Sequence, residues 1–133
     1  YDVRMLGYGA YCDLNVEPVV RTDGDSYARC EVRLEELVQS LHLIREAVSK
    51  IPEGPVAEPV KGNPSGEYFM RIEQPRGEAI YYVKGNGTKN LDRFRLRTPT
   101  TSNIPVDLLK GCQLADVPLL ILTIDPCISC TER

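Results

Sequence analysis

Residues 26–51, SYARCEVRLEELVQSLHLIREAVSKI, form the longest stretch with a single periodicity in the sequence. Its apolar side chains recur at helical spacing, at Leu34, Leu37, Val38, Leu41, Ile44, Val48 and Ile51. The turn before it, Asp23-Gly24-Asp25, offers a capping acid, and Pro52 cannot continue a helix. The pattern predicts one long helix from Ser26 that packs its apolar face on a core and ends at Pro52.

Three short strands are predicted downstream of this helix, at Tyr68–Glu73, Ala79–Val83 and Arg93–Arg97. The glycine-rich segment Lys84–Asn90 joins the last two as a hairpin connection. Before the strands, residues 52–66 are rich in proline and glycine and predict a long loop. The segment 11–20 is at best an edge strand or an extended arm, because it alternates poorly and contains Pro18.

A short helix is predicted from Ile104 to Cys112, started by Pro105 and closed at Gly111. Cys112 follows that glycine and is expected to be a small buried residue. Together these elements predict an α+β fold with one long helix, a small antiparallel sheet and a short helix.

Length and composition limit the chain to one domain or a piece of a larger one. It has 133 residues, 42% of them hydrophobic, a net charge of −3 and a pI near 5.2. The acidic balance and scattered basic residues argue against nucleic-acid binding, and no apolar run reaches the roughly 18 residues of a membrane span. Five cysteines without a signal peptide indicate free thiols in a reducing cytoplasm. The first residue, Tyr1, is not Met and lies in what reads as a folded segment, so we expect a piece of a longer protein.

The last nine residues, DPCISCTER at positions 125–133, hold the strongest chemical signal. Asp125 suits a helix N-cap and Pro126 the first helical position, which would place Cys127 and Cys130 one turn apart on one face. The apolar segment 119–124 before them is expected to lie in the core. Two sulfurs at this spacing could reach one metal, and a helix N-terminus favours the thiolate that binds metal.

Two other interpretations of the CxxC pair are weaker. A redox dithiol of the thioredoxin type sits between a strand and a long helix, whereas here the sequence ends three residues after Cys130. A closed structural zinc site needs two more ligands, but Cys12, Cys30, Cys112 and His42 show no second paired spacing.

Four motifs in a fixed order resemble the large subunit of nickel–iron hydrogenases. They are the turn Pro75-Arg76-Gly77, the segment TPTTSN at 98–103, the segment LLKGCQLADVP at 108–118 and the terminal CxxC segment. The resemblance is to the membrane-associated, energy-converting group in particular, whose large subunit is similar to the quinone-site subunit of respiratory complex I. The long predicted helix resembles one that both share. The resemblance covers nearly the whole chain but only the C-terminal part of a larger, mostly helical subunit.

The resemblance implies a role for each motif residue. Cys127 matches the terminal nickel thiolate, and Cys130 matches the thiolate that bridges nickel and iron. Arg76 matches an arginine that hangs over the metals as a proposed base, with Asp125 an acid beside it. Pro99 and Thr100 match the segment that donates hydrogen bonds to a cyanide on iron. Soft thiolates suit nickel and iron, and the polar groups around them tune the metals.

The chain departs from the family pattern because it lacks the second, N-terminal CxxC pair. Half of the ligand set is missing, so the chain alone should not be a hydrogenase. The implied partners are the N-terminal half of the subunit, an iron–sulfur small subunit, membrane subunits and a maturation protease. Arg133 matches the residue after which that protease cuts, although His is more usual there, which leaves an auxiliary metal site in doubt.

Three hypotheses follow for function. The first is the C-terminal part of an energy-converting nickel–iron hydrogenase large subunit, cytoplasmic and peripheral to the membrane. The second is a complex-I-like quinone oxidoreductase subunit without nickel, for which a thiol pair has no use. The third is a non-catalytic zinc-binding or assembly module that uses the CxxC pair alone.

Overall fold

The computed structural model describes residues 2–104 and 106–132, and its longest element is helix α1, Ser26–Lys50. The Asp25 carboxylate accepts a hydrogen bond of 2.7 Å from the Ala28 N–H at the N-terminus of the helix. This satisfies one of the first-turn N–H groups that have no partner inside the helix. The predicted long helix and its capping acid are therefore confirmed.

The three predicted strands form one antiparallel sheet in the order β1-β2-β3, with β1 at Ser65–Gln74, β2 at Gly77–Asn86 and β3 at Leu91–Arg97. Side chains alternate across the sheet, and the cross-strand register places one mostly apolar set on a single face. That face comprises Tyr68, Met70, Ile72, Ala79, Tyr81, Val83, Phe94 and Leu96. The strands are longer than predicted, so β2 takes in part of the expected hairpin connection, and β1 takes in the last two residues of the expected 52–66 loop.

The C-terminal third consists of short helices. They are α2 at Pro99–Ser102, α3 at Val117–Thr123 and α4 at Ile128–Thr131, with 3-10 turns at Val106–Leu109 and Leu114–Asp116. The prediction of a helix at Ile104–Cys112 is wrong. Only the 3-10 turn Val106–Leu109 forms there, and Gly111 follows it with φ at +86°. Its expected starter, Pro105, lies outside the described residues. Cys112 is exposed rather than buried.

The predicted N-cap at Asp125 is also wrong. Asp125 has a left-handed φ of +53°, and α4 begins only after Cys127, which holds the extended cap position. An ion pair with Arg76 draws the Asp125 side chain away from the helix. Cys127 thus lies on the connection before α4, whereas Cys130 lies within this short helix.

Few apolar side chains are buried within the chain itself. Thr123 and Ile124 are buried as expected at the end of α3, but Leu122 is 68% exposed, so the prediction of a buried segment 119–124 is wrong in part. Along α1 only Ala28 and Leu43 are buried, while Leu34 and Leu37 are more than 60% exposed. The prediction that the stripe faces a core within this chain is therefore wrong. An exposed apolar stripe of this length is typical of a contact surface.

We expect Gly77→Ala to lower the free energy of unfolding by about 1–3 kcal/mol. Gly77 follows the β1–β2 turn with φ at +125°, and an added Cβ would come within 3.3 Å of Pro99 Cβ. Backbone strain and a close contact therefore act together. Urea unfolding of the 133-residue chain measures the loss.

Gly87→Ala is the control, because its φ is +81° and its Cβ would meet nothing within 4 Å. Equal losses for the two variants would contradict a contribution from the contact with Pro99.

Candidate metal centre

An ion pair joins the β1–β2 turn to the segment between α3 and α4. Arg76 Nη2 lies 3.0 Å from Asp125 Oδ2, and Arg76 Nε donates to the Asp125 carbonyl oxygen at 3.2 Å. The turn itself is held from two sides, since Arg33 of α1 donates to the Pro75 carbonyl at 2.6 Å and Asn103 donates to the Arg76 carbonyl. The guanidinium is thus fixed by its own contacts and by those of its backbone.

The start of α2 holds the CxxC segment on its other side. The Thr100 hydroxyl accepts a hydrogen bond of 3.4 Å from the Cys127 N–H, and the Thr98 hydroxyl donates to the Cys130 carbonyl. Pro99 and Thr100 are both buried. The structure therefore brings Arg76, Pro99, Thr100, Asp125, Cys127 and Cys130 together from three separate segments of the chain. Their roles at a metal stay predictions.

The two thiols differ in their surroundings. Cys130 is buried, and its Sγ donates to Gln74 Oε1 at 3.9 Å. Cys127 is half-buried, and its Sγ lies 3.0 Å from the Ser129 hydroxyl. A hydrogen bond with that hydroxyl is the main cause that lowers the pKa of Cys127 to about 7. A hydrogen bond from the backbone N–H of Cys130 lowers the pKa further. A thiolate is thus accessible at Cys127 near neutral pH.

Several contacts at this centre were not identified from the sequence. Ser129 lies inside the CxxC spacing, where its effect on Cys127 could have been inferred. Thr98 begins the TPTTSN motif, but its contact to Cys130 acts across the fold, as does that of Gln74, and neither contact follows from the sequence. The other three thiols, Cys12, Cys30 and Cys112, are exposed and take no part in these contacts. The expected role of Arg133 falls outside the described residues.

The donor set of the CxxC segment consists of two cysteine thiols. Two cysteine thiols, one with a lowered pKa, fit soft metals such as nickel and iron. No group of three His, Cys, Asp or Glu side chains is arranged to hold a metal within residues 2–104 and 106–132. The described residues therefore fit half of a four-thiolate set.

We expect alkylation of Cys127 by iodoacetamide to rise with pH and to reach half of its maximum rate near pH 7. Only the thiolate reacts, so a thiol with an ordinary pKa would reach that point near pH ~8.5. Mass spectrometry of the alkylated peptide measures the rate at each pH. Ser129→Ala should move the midpoint upward, because the stabilising hydroxyl is lost. A Cys127 midpoint at the ordinary value in the unaltered chain would contradict the prediction.

The chain is similar in sequence to a known protein family and to individual proteins. The family described as respiratory-chain NADH dehydrogenase, 49 kDa subunit, matches residues 1–63 and 59–133. The carbon monoxide-induced hydrogenase of Rhodospirillum rubrum is 42% identical over 137 residues, covering 100% of this chain and 38% of its own length. The alpha subunit of the membrane-bound hydrogenase of Pyrococcus furiosus is 38% identical over 144 residues, covering 94% of this chain and 34% of its own length.

One solved structure is also similar to this chain. A chain of the membrane-bound sulfane sulfur reductase, an archaeal respiratory membrane complex, superposes with a TM-score of 0.85 at 33% identity. The match covers 100% of this chain and 39% of that one.

The sequence and structural matches together define a class of subunit found in respiratory membrane complexes. The chain belongs to the family of the 49 kDa subunit of respiratory-chain NADH dehydrogenase. The resemblance to energy-converting hydrogenase and complex I large subunits is thereby confirmed. The chain spans between 26% and 39% of the length of the relatives that it matches. Their names cover hydrogenases, quinone oxidoreductases and a sulfur reductase, so family membership leaves the reaction open.

Proposed function

We propose that the chain is part of the catalytic subunit of a membrane-associated nickel–iron hydrogenase and supplies two of its four cysteine ligands. The observation that carries the proposal is the meeting of three segments at the CxxC pair: the Arg76 turn pairs with Asp125, and Thr98 and Thr100 bind the backbone of Cys130 and Cys127. Two relatives, at 42% and 38% identity, are named as hydrogenases. A thiol pair at this position has a use in metal binding and none in binding a quinone.

In this proposal a nickel–iron centre supplies the site at which the bond of H₂ is formed or broken. The Cys127 and Cys130 thiolates would hold this centre from the side of this chain. Cys127 is also the more exposed thiol, so its sulfur can accept or release a proton toward solvent. Cys130 is buried and tied through its carbonyl to Thr98, which suits a ligand that must keep its position.

Arg76 and Asp125 supply the charged groups next to the CxxC segment. The Asp125 carboxylate pairs with Nη2, and its carbonyl accepts from Nε, so the planar guanidinium is held in one orientation. The remaining N–H groups of Arg76 could donate to a group bound at the centre. Pro99 and Thr100 lie against the ligand segment, and the Thr100 hydroxyl already fixes the Cys127 backbone.

The proposal also requires partners. The two missing thiolates come from the N-terminal half of the subunit, electrons pass through an iron–sulfur small subunit, and a maturation protease acts near Arg133. The exposed stripe on α1 offers a contact surface for such partners. No helix in the described part of the chain is long and apolar enough to cross a membrane. We place the chain at the cytoplasmic face, attached to membrane subunits.

A second candidate, a quinone oxidoreductase subunit without nickel, is favoured by a different observation. An NADH-quinone oxidoreductase subunit of Desulfotalea psychrophila is 34% identical over 140 residues and covers 100% of this chain. The fold is thus compatible with both reactions.

Elemental analysis of the complete subunit, matured with its partner subunits, tests the proposal. We expect stoichiometric nickel together with iron in the unaltered protein and loss of nickel in Cys127→Ser and Cys130→Ser. Cys112→Ser is the matched control, because its exposed thiol only donates to the Leu108 carbonyl. The 133-residue chain alone should bind no nickel–iron centre, since two thiolates cannot satisfy it. A complete subunit that contains no nickel and reduces a quinone would overturn the proposal in favour of the second candidate.

A further inference from the structure

Arg33 of α1 ties the turn that carries Arg76 to the long helix. Gln74 pairs with Gly77 at the end of the β1–β2 ladder, so residues 75 and 76 form a two-residue turn. The Pro75 carbonyl lies outside the ladder and accepts a hydrogen bond of 2.6 Å from Arg33 Nη1. A charged donor at this distance makes a strong hydrogen bond. The backbone immediately before Arg76 is therefore fixed on α1.

Arg29, one helical turn before Arg33, reaches the segment on the other side of the ion pair. Its Nη1 donates to the Thr123 hydroxyl at 3.4 Å, and Thr123 is the last residue of α3, two positions before Asp125. Thr123 is buried, and its hydroxyl donates to the Leu120 carbonyl at 2.7 Å, so the oxygen that faces Arg29 is held in place. The helices α1 and α3 also pack against each other. The segment that carries Asp125 is thus fixed on α1 as well.

Helix geometry sets the spacing of these two attachments. Residues four apart lie on one face of an α-helix, about 6 Å apart along its axis. Arg29 and Arg33 are both half-buried, and with Arg76 and Asp125 they line one cleft of about 1110 Å³. A rigid element therefore determines how far apart the two segments lie, although the ion pair itself joins a turn to a connection between short helices.

We propose that Arg29 and Arg33 are positioning residues: one turn of α1 holds the segments of Arg76 and Asp125 at the separation that their ion pair requires. Arg76 contacts Asp125 through both Nη2 and Nε, and two contacts at once need a fixed approach of the two segments. This inference rests on the proposed function, because the two arginines affect turnover only through Arg76.

NMR spectroscopy of the 133-residue chain tests the proposal without any metal. The Nε–H of Arg76 donates to the Asp125 carbonyl, which slows the exchange of its hydrogen with water, and loss of the signal in Arg76→Lys assigns it. We expect Arg33→Met to speed this exchange about 3- to 10-fold, the factor that corresponds to one hydrogen bond. Methionine keeps an unbranched apolar side chain but donates nothing. Arg29→Met should act in the same direction with a smaller effect, because its contact is longer.

Three further variants separate positioning from general stability. Arg33→Lys keeps a cationic donor, so its Arg76 exchange should be slower than that of Arg33→Met. Leu43→Ala removes a buried side chain of α1, so it should lower the free energy of unfolding and leave the Arg76 exchange unchanged. Arg45→Met, about three turns beyond Arg33 on the same helix, should also leave it unchanged.

A merely structural role for the two arginines predicts a different pattern. Arg29→Met and Arg33→Met would then change the Arg76 exchange no more than Leu43→Ala does, and that result would overturn the proposal.

The two proposals can fail separately. Faster Arg76 exchange in Arg33→Met together with a nickel-free complete subunit would retain the positioning role and reject the hydrogenase. Unchanged exchange together with a nickel-containing complete subunit would do the reverse.

Discussion

Cys127→Ser is expected to abolish hydrogen turnover when the complete subunit is assembled with its partners. Two losses act together in this variant. Serine is a poor ligand for a soft metal, because its hydroxyl stays protonated at neutral pH, whereas the Cys127 thiol has a pKa lowered to about 7. The group that accepts the proton is lost as well, and removing an acid–base group alone typically costs about 100- to 10,000-fold in rate.

Isotope exchange between H₂ gas and D₂O measures the hydrogen turnover of Cys127→Ser without any electron acceptor. Cys12→Ser is a suitable control, because the exposed Cys12 thiol donates to the Gly9 carbonyl in the N-terminal segment. Circular dichroism shows whether each variant keeps its helices. If Cys127→Ser exchanged hydrogen at close to the unaltered rate, Cys127 would not be the terminal nickel ligand and the assignment would fail.

The elements that local signals determine were predictable from the sequence. The capping acid Asp25 and the apolar spacing after it indicated α1, and the alternation of Phe94 and Leu96 with arginines indicated β3. Both signals act over neighbouring residues, where periodicity and capping dominate. The short C-terminal helices were less predictable, because segments of four to seven residues carry too little periodicity.

The errors around the centre share one physical cause, which is that tertiary contacts outweigh local preference. Asp125 has the chemistry of an N-cap, yet the Arg76 guanidinium binds it and the backbone takes a left-handed conformation. Likewise, the α1 stripe has the pattern of a core face, but the elements of this chain cover only a small part of it. Periodicity shows which face of a helix is apolar, and it cannot show which segment of protein covers that face.

The motif resemblance predicted which residues would meet, but it could not predict how they are held. The convergence of Arg76, Thr100 and Cys127 agrees with the resemblance. The contacts of Gln74 and Thr98 depend on the register of β1 and on the position of α2, and neither follows from residue spacing. The structure therefore added the contacts that hold the two cysteines, whereas the sequence identified the cysteines themselves.

Arg76→Lys is the second substitution with a large expected effect, and it should lower hydrogen turnover by about 100-fold or more while nickel is retained. The charge is kept, but a single ammonium cannot reproduce the two contacts made by Nη2 and Nε to Asp125. The cation then loses its fixed position beside Asp125. Because neither side chain is a metal ligand in this assignment, elemental analysis should still find nickel and iron.

Asp125→Asn provides the matched test of this ion pair. Asn tolerates the left-handed φ of +53° at this position, so the substitution removes the charge without forcing the backbone to move. We expect a smaller loss than for Arg76→Lys, and the double variant should be little worse than Arg76→Lys alone, because the two side chains act as one unit. Arg97→Lys is the control, since Arg97 pairs with Glu78 and contacts Ser102 rather than Asp125. Additive losses in the double variant, or an Arg76→Lys rate equal to that of the control, would show that the ion pair does not position Arg76 for turnover.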